Sequence, residues 1–414
     1  MIEVLAQFCL FPPCGKRQSI GVADAGTAVA SKPSTKCSVR PSVGLPMTPL
    51  IAIRRQTMKK GRWISRTLGI GALCALVSFS LIIPANLWAA SGAKPIELSF
   101  ALHIPPKAGP YVNAFLPWAK ELEKRSNGQL KIKFYLSQTL VKVRDAYNAV
   151  KDGIADMTWV AYSLNRGRFP LSGVMELPFL SPDTFAGSHA LIDLYKKFPE
   201  MRAEVDDVHL LSLWVSLPYE IHTVAKPVLK LGDIKGLKLA TQPGASPAVE
   251  AIGAVPVTSG LPAVYTMLEK GVADGSALAW GAFKAFKIYE VTKYHTNAHL
   301  GGVPYCHIMN KNKWRKLPED LKTIITETTA EMLPDILCQA VTNEANIGIK
   351  ISKERGDEIV DLTLEQQKQW IGTAKNDWDK WAKKMDAKGL PGRAVLDEAL
   401  DLVEKYKDYG KKKQ

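Results

Sequence analysis

The chain has 414 residues, 46% of them hydrophobic and 23% charged. That length allows two to three domains with a sizeable core, and the composition excludes a disordered chain or a multispan membrane protein. The formal net charge of +14 invites a nucleic-acid reading, but residues 1–89 carry 11 basic and 2 acidic residues while residues 90–414 carry 43 and 38. Most of the excess sits in a leader, so the nucleic-acid reading loses its support.

The leader comes first in chain order. Lys59, Lys60, Arg62 and Arg66 form a basic patch, Leu68 to Ile83 an apolar run, and Ala89 and Ala90 a small-residue exit. These are the three parts of a secretory signal peptide. An uncleaved membrane anchor is the alternative; Pro84 and the Trp-Ala-Ala exit favour cleavage near Ala89 or Ala90. Residues 1–57 are rich in Pro, Ser and Thr and show no sustained period, whereas Met58 opens Met-Lys-Lys-Gly-Arg, a normal signal-peptide start. Residues 1–57 are therefore expected to be a non-native extension and 58–90 the signal peptide, with the mature protein in the periplasm. Four of the six cysteines (Cys9, Cys14, Cys37 and Cys74) fall in the leader. Cys306 and Cys338 remain and are expected to be buried free thiols.

In the body, Ile96, Leu98, Phe100 and Leu102 alternate as a strand. Tyr111, Phe115, Trp118 and Leu122 recur at helical spacing up to an Asn127-Gly128 stop. Leu130, Ile132 and Phe134 make a second strand, so the first forty residues read as a βαβ unit with a parallel sheet. A helix over Val141–Lys151, closed by Gly153, leads to a strand over Ala155–Val160. Further strands are expected at Leu210–Val215, Leu237–Ala240 and Val303–Met309, and helices at Ser246–Ile252 and Pro262–Lys270. Pro318–Lys353 reads as one long helix with a kink at Pro334, and Leu364–Lys388 as another, whose Trp370, Ala374, Trp381 and Met385 form a core stripe.

Catalytic signatures are missing: no Gly-x-Ser-x-Gly elbow, Walker A loop, Gly-x-Gly-x-x-Gly or HExxH motif occurs. His295, His299 and His307 could be imagined as a zinc trio, but Gly301, Gly302 and Pro304 break any helix between them, so neither a metal nor a cofactor is expected. The pattern favours a binder over an enzyme.

From Trp118–Gly128 onward the sequence resembles the solute-binding proteins of tripartite ATP-independent periplasmic (TRAP) transporters, dicarboxylate-binding type. The resemblance runs from about Ile96 to Tyr406. It is carried by Gly153–Asp156, Arg168-Phe-Pro170, Glu176–Phe179, Leu231–Leu239, Gly253–Val257, Val264-Tyr265, Gly271–Gly275, Tyr289–Tyr294 and Leu317–Leu321, in that order and spacing. It implies an α/β fold with two lobes, a type II-like periplasmic binding protein with a hinge cleft and a long helix spanning both lobes. Lobe one is expected over 94–218 and 306–345, lobe two over 219–305 and 346–414. A small organic solute binds in the cleft and is delivered to TRAP membrane permease subunits; the alternative is a receptor that presents its ligand to a membrane sensor kinase. The family usually carries a carboxylate-clamping arginine where this chain has Ala240, so another cation must hold an acid, or the solute is not a typical carboxylate. Arg168 is either that cation or half of a structural ion pair. His103, Trp159, Tyr162, Trp214, Tyr219, Gln242, Trp280 and Phe283 are the remaining expected cleft residues, and their aromatic character points to a ring-bearing solute.

Overall fold

A computed structural model describes residues 94–165 and 167–412. The expected extension, the signal segment and their cysteines lie outside the described residues. Cys306 and Cys338 are buried free thiols. Among the described residues no helix is long and apolar enough to cross a membrane.

Among the described residues eleven strands form two sheets: β1 (Ile96–Ala101), β2 (Leu130–Tyr135), β3 (Met157–Ala161), β4 (His209–Val215), β5 (Glu220–Thr223), β6 (Lys238–Thr241), β7 (Val255–Thr258), β8 (Gly275–Leu278), β9 (Tyr294–Asn297), β10 (Pro304–Met309) and β11 (Glu358–Asp361). The first sheet has the order β2-β1-β3-β10-β4 and the second β11-β9-β5-β8-β6-β7. The βαβ reading holds, with β1 parallel to β2. Between them a π turn over Tyr111–Phe115 runs into the helix Leu116–Arg125, which buries Trp118 and Leu122. The chain then turns through Asn127 (φ 50°) and Gly128 (φ 78°), left-handed backbone that glycine adopts without a Cβ penalty.

Neither sheet is wholly parallel, contrary to the sequence reading. In the first, β10 runs against β3 and β4; in the second, β5 runs against β8 and β9. The physical reason is the path of the chain. β4 leads out of the first sheet into β5, and β9 leads back into β10, so each sheet receives one strand from the hinge in the opposite sense.

Those two connections pair with each other. Ser216 N–H donates to Val303 O at 2.9 Å, Tyr219 N–H to Gly301 O at 3.0 Å and Leu300 N–H to Tyr219 O at 2.9 Å. Glu220 locks the junction. It is buried, and its carboxylate accepts from the backbone N–H of Ala298 (2.6 Å) and His299 (2.8 Å). The same carboxylate pairs with the His299 imidazole at 2.9 Å.

A third crossing is the helix Glu319–Glu354, which continues through Pro334. Its first half receives a hydrogen bond from Trp118 Nε1 to Thr329 Oγ1 (3.1 Å) beside the first sheet. Its second half lies against the turn Trp280–Ala282 of the second sheet, where a Cβ added at Gly348 would meet the Trp280 carbonyl at 2.7 Å. The later helix Leu364–Asp386 buries Trp370, Ala374, Trp378, Ala382 and Met385. Trp378, not Trp381, is the second buried tryptophan of the stripe beside Trp370, and its indole donates to Pro178 O at 2.9 Å. The C-terminal helix Gly392–Tyr406, expected with the second lobe, makes polar contacts with the helix Thr184–Lys197 beside the first sheet, where Tyr406 Oη donates to Asp193 at 2.6 Å and Lys197 pairs with Glu398, and with the helix Leu364–Asp386, where Arg393 donates to Asp379 at 2.6 Å.

Two expectations follow. Helix-interior Gly→Ala ordinarily stabilises by about 1 kcal/mol. Gly372→Ala, with nothing within 4 Å of its Cβ, should show that gain in urea denaturation, whereas Gly348→Ala should lose about 1–3 kcal/mol through overpacking against the Trp280 turn. The second concerns pH. Glu220 first, with Asp361 and Asp183 in support, raises the His299 imidazole above its ordinary value of 6.5 against the opposing pull of burial. A raised histidine contributes stability that is fully present below its unfolded value and is lost as pH rises through the folded one. The melting-temperature gap between the wild type and His299→Asn, which tolerates the left-handed backbone there (φ 50°), should therefore be largest near pH 5.5 and shrink towards pH 9. A gap that widens with pH would contradict the pairing.

Candidate ligand cleft

The hinge joins two facing edges. In the first sheet β1, β3 and β4 end there and β10 begins there; in the second, β6, β8 and β9 end there and β5 begins there. The crevice outside the carboxyl ends of strands is where open α/β sheets bind ligands.

Six of the expected residues stand on or just behind these edges. His103 follows β1, and its ring centre lies 5.2 Å from that of Trp159 on β3. Trp159 meets Trp214 of β4 edge-on at 5.3 Å. Across the hinge Trp280 follows β8, while Tyr219 precedes β5 and donates to Gln242 Oε1, after β6, at 3.4 Å. Burial pulls the His103 imidazole down to about 4, so at neutral pH this side chain is an uncharged hydrogen-bonding group.

Trp280 is held firmly. Its indole N–H donates to Asn297 Oδ1 at 2.8 Å, and Asn297 Nδ2 donates to Asp361 Oδ1 at 2.7 Å. Its ring packs on His222 (4.8 Å), His295 (4.9 Å) and Phe283 (4.5 Å). Phe283 is therefore the support behind Trp280, fully buried, not part of the edge.

Two other expected residues go elsewhere. Tyr162 turns into the core, stacked on Phe169 with ring centres 3.9 Å apart, and burial pushes its phenol well up. Arg168 takes the ion-pair role. Its guanidinium lies 2.5 Å from Asp207 Oδ1, donates to Tyr147 Oη at 2.5 Å and covers the Tyr147 ring at 3.5 Å. Asp207 precedes β4, at the end of the sheet away from the hinge, so this arginine is spent on the far side. Burial of Asp207 works against ionisation, but Tyr147, Arg168 and Lys151 together hold its carboxyl down at about 2.

Ala240 is fully buried on β6, level with Val257 on β7 and Ser276 on β8. His222 and His295 continue that row across the sheet, with Nδ1 to Nδ1 at 3.1 Å. The three histidines considered as a metal trio go to three places: His295 to this row, His299 to the hinge and His307 to the middle of β10. Sequence reasoning missed Tyr305, which stacks on Trp214 (5.1 Å) and meets Trp159 edge-on (4.8 Å), and Asn297, which aims Trp280. The alternation of the Val303–Met309 strand was the available signal for Tyr305. Asn297 had none, because β9 lacks an apolar period.

The cleft agrees with three comparisons. Residues 101–384 match the model of the bacterial extracellular solute-binding protein family 7. The chain is 26% identical over 288 residues to the 2,3-diketo-L-gulonate-binding periplasmic protein of Escherichia coli K12, covering 68% of this chain and 85% of that protein. It superposes on the TRAP solute-binding protein of Rhodoferax ferrireducens, solved with copurified benzoate, with a TM-score of 0.68 and 26% identity over 76% of this chain and 99% of that one. A marine metagenome TRAP solute-binding protein specific for aromatic acids, solved with 3-hydroxybenzoate, gives the same four figures. The chain thus belongs to the bacterial extracellular solute-binding protein family 7, as a TRAP-transporter solute-binding protein of the dicarboxylate-binding type that captures a small organic solute for uptake.

Proposed function

We propose that the solute is a ring-bearing organic acid. It is bound between the two sheets in the periplasm, released unchanged, and handed to the membrane subunits of a TRAP permease. The observation that carries this reading is the aromatic side chains gathered at the hinge ends of both sheets, with His103, Trp159, Trp214 and Tyr305 at the first and Trp280 at the second. Flat π faces favour a flat apolar solute. The benzoate and 3-hydroxybenzoate held by the two superposed proteins support the same class. Without arginine at Ala240, and with Arg168 paired to Asp207, a solute carboxylate has no guanidinium partner among these residues and must be held by hydrogen bonds, which disfavours a small dicarboxylate more than a single carboxylate on an apolar ring. The lobes follow the two sheets, with 94–218 and 306–345 proposed around the first and 219–305 around the second.

Isothermal titration of the purified protein with benzoate, succinate and glucuronate tests the reading. Benzoate should bind, and Trp280→Ala should weaken it about tenfold or more, since aromatic contact and burial contribute about 1.5–3 kcal/mol. Succinate binding without benzoate binding would overturn it. Arg168→Ala should leave the benzoate Kd within about threefold and act on stability instead, by about 1–3 kcal/mol for a half-buried pair. Because the Asp207 carboxyl is held at about 2 against an ordinary 3.8, the pair's contribution is present above pH 4 and is lost as pH falls through 2. The melting-temperature deficit of Arg168→Ala should vanish over that interval.

A further inference from the structure

Behind the first wall lies a cross-strand row that the cleft described so far does not use. Trp159 on β3, His307 on β10 and Ser212 on β4 are direct register partners, so their side chains share one face. Trp214 sits one step nearer the hinge on the same face, opposite Tyr305. All four residues are more than nine-tenths buried. Five of their polar atoms find no protein partner: the indole nitrogens of Trp159 and Trp214, the Ser212 hydroxyl and both ring nitrogens of His307. Native cores pair nearly all such groups, because each buried orphan costs about 1–3 kcal/mol. Five in one patch, joined to the cleft wall through the Trp159–His103 contact, are hydrogen-bonding capacity that the protein itself leaves unused.

The chemistry of the row selects the group it takes. Trp159 and Trp214 can only donate. Burial pulls the His307 imidazole down to about 3, so it is neutral, with one nitrogen donating and the other accepting. Ser212 can do either. A carboxylate only accepts and would face the His307 lone pair unmatched and without a cation. A hydroxyl both donates and accepts, and carries no charge to desolvate.

We propose that Trp159, His307 and Ser212 form an uncharged subsite beneath the cleft that receives a hydroxyl substituent on the solute ring, making a hydroxylated aromatic acid the preferred solute. This rests on the ring-bearing-acid reading above. The hydroxyl donates to the open nitrogen of His307 and accepts from the Trp159 indole. The carboxylate stays at the hinge edge, one row spacing of about 7 Å away along the strands.

A ligand series on the wild-type protein tests this without any variant. Titrations with benzoate, 3-hydroxybenzoate, 4-hydroxybenzoate and their methyl ethers should show one hydroxybenzoate bound at least about tenfold tighter than benzoate, with the preference lost in its ether, which cannot donate. Sites built for a hydroxyl discriminate strongly against analogues lacking it. His307→Phe should then cut the hydroxyl preference to about threefold or less while benzoate affinity moves far less. Ser212→Ala, a smaller change, should reduce the preference in the same direction, and melting curves of both variants report whether they fold. Benzoates bound with no hydroxyl preference, or a preference untouched in folded variants, would overturn the subsite and leave the ring-bearing-acid reading standing. Failure of every benzoate to bind would overturn both.

Discussion

A buried carboxylate sits where the two sheets meet. Glu220 is the first residue of β5, and leaving it unpaired would cost several kcal/mol. It is satisfied by two backbone N–H groups of the returning strand connection and by His299. That demand ties the outgoing and incoming segments to one geometry. Everything that makes a cleft follows from it: the pairing of 216–219 with 298–303, the single opposed strand in each sheet, and the facing of two sets of strand ends.

The walls so placed hold solute by shape and hydrogen bonding more than by formal charge. The position where the family resemblance leads one to expect a guanidinium is Ala240, Arg168 is bound to Asp207 on the outer side, and His103 is kept neutral by burial. Rigidity compensates in part. Trp280 is fixed by a chain of two hydrogen bonds through Asn297 to Asp361 and backed by two histidines and Phe283, so little side-chain entropy is left to lose when a ring lands on it. The long helix adds a further constraint, since Gly348 lets its backbone lie directly against the Trp280 turn.

Much of the framework was legible in the sequence, because local periods and turn residues write it. The alternation from Ile96, the helical spacing to the Asn127-Gly128 stop and the long run after Pro318 all correspond to observed elements. The short strands of the second sheet were harder. β8 and β9 are four residues each, with Gly275, Ser276, His295 and Asn297 among them, and they owe their state to neighbours rather than to propensity. The helix Thr184–Lys197 went unread for the opposite reason, since it buries a broad face and shows little contrast, whereas the C-terminal helix went unread despite a clear stripe of Val395, Leu396, Ala399 and Leu402. In the site, strand-end aromatics were found because position alone places them. The roles of Arg168 and Tyr162 depend on Asp207 and Phe169, partners that sequence spacing does not reveal.

At the mouth of the cleft the turn after β6 touches the turn after β3. A Cβ added at Gly244 would stand 2.6 Å from Val303 and 3.3 Å from Ser163. With hydrogen in place of a side chain, the Gly244 backbone packs directly on the Val303 and Ser163 side chains. A molecule enclosed beneath them leaves only when that seam parts, so its residence time is governed by the opening rate of the rims and not by its own contacts alone. A membrane partner that prised this seam apart would unload the protein without competing for a single bond inside it.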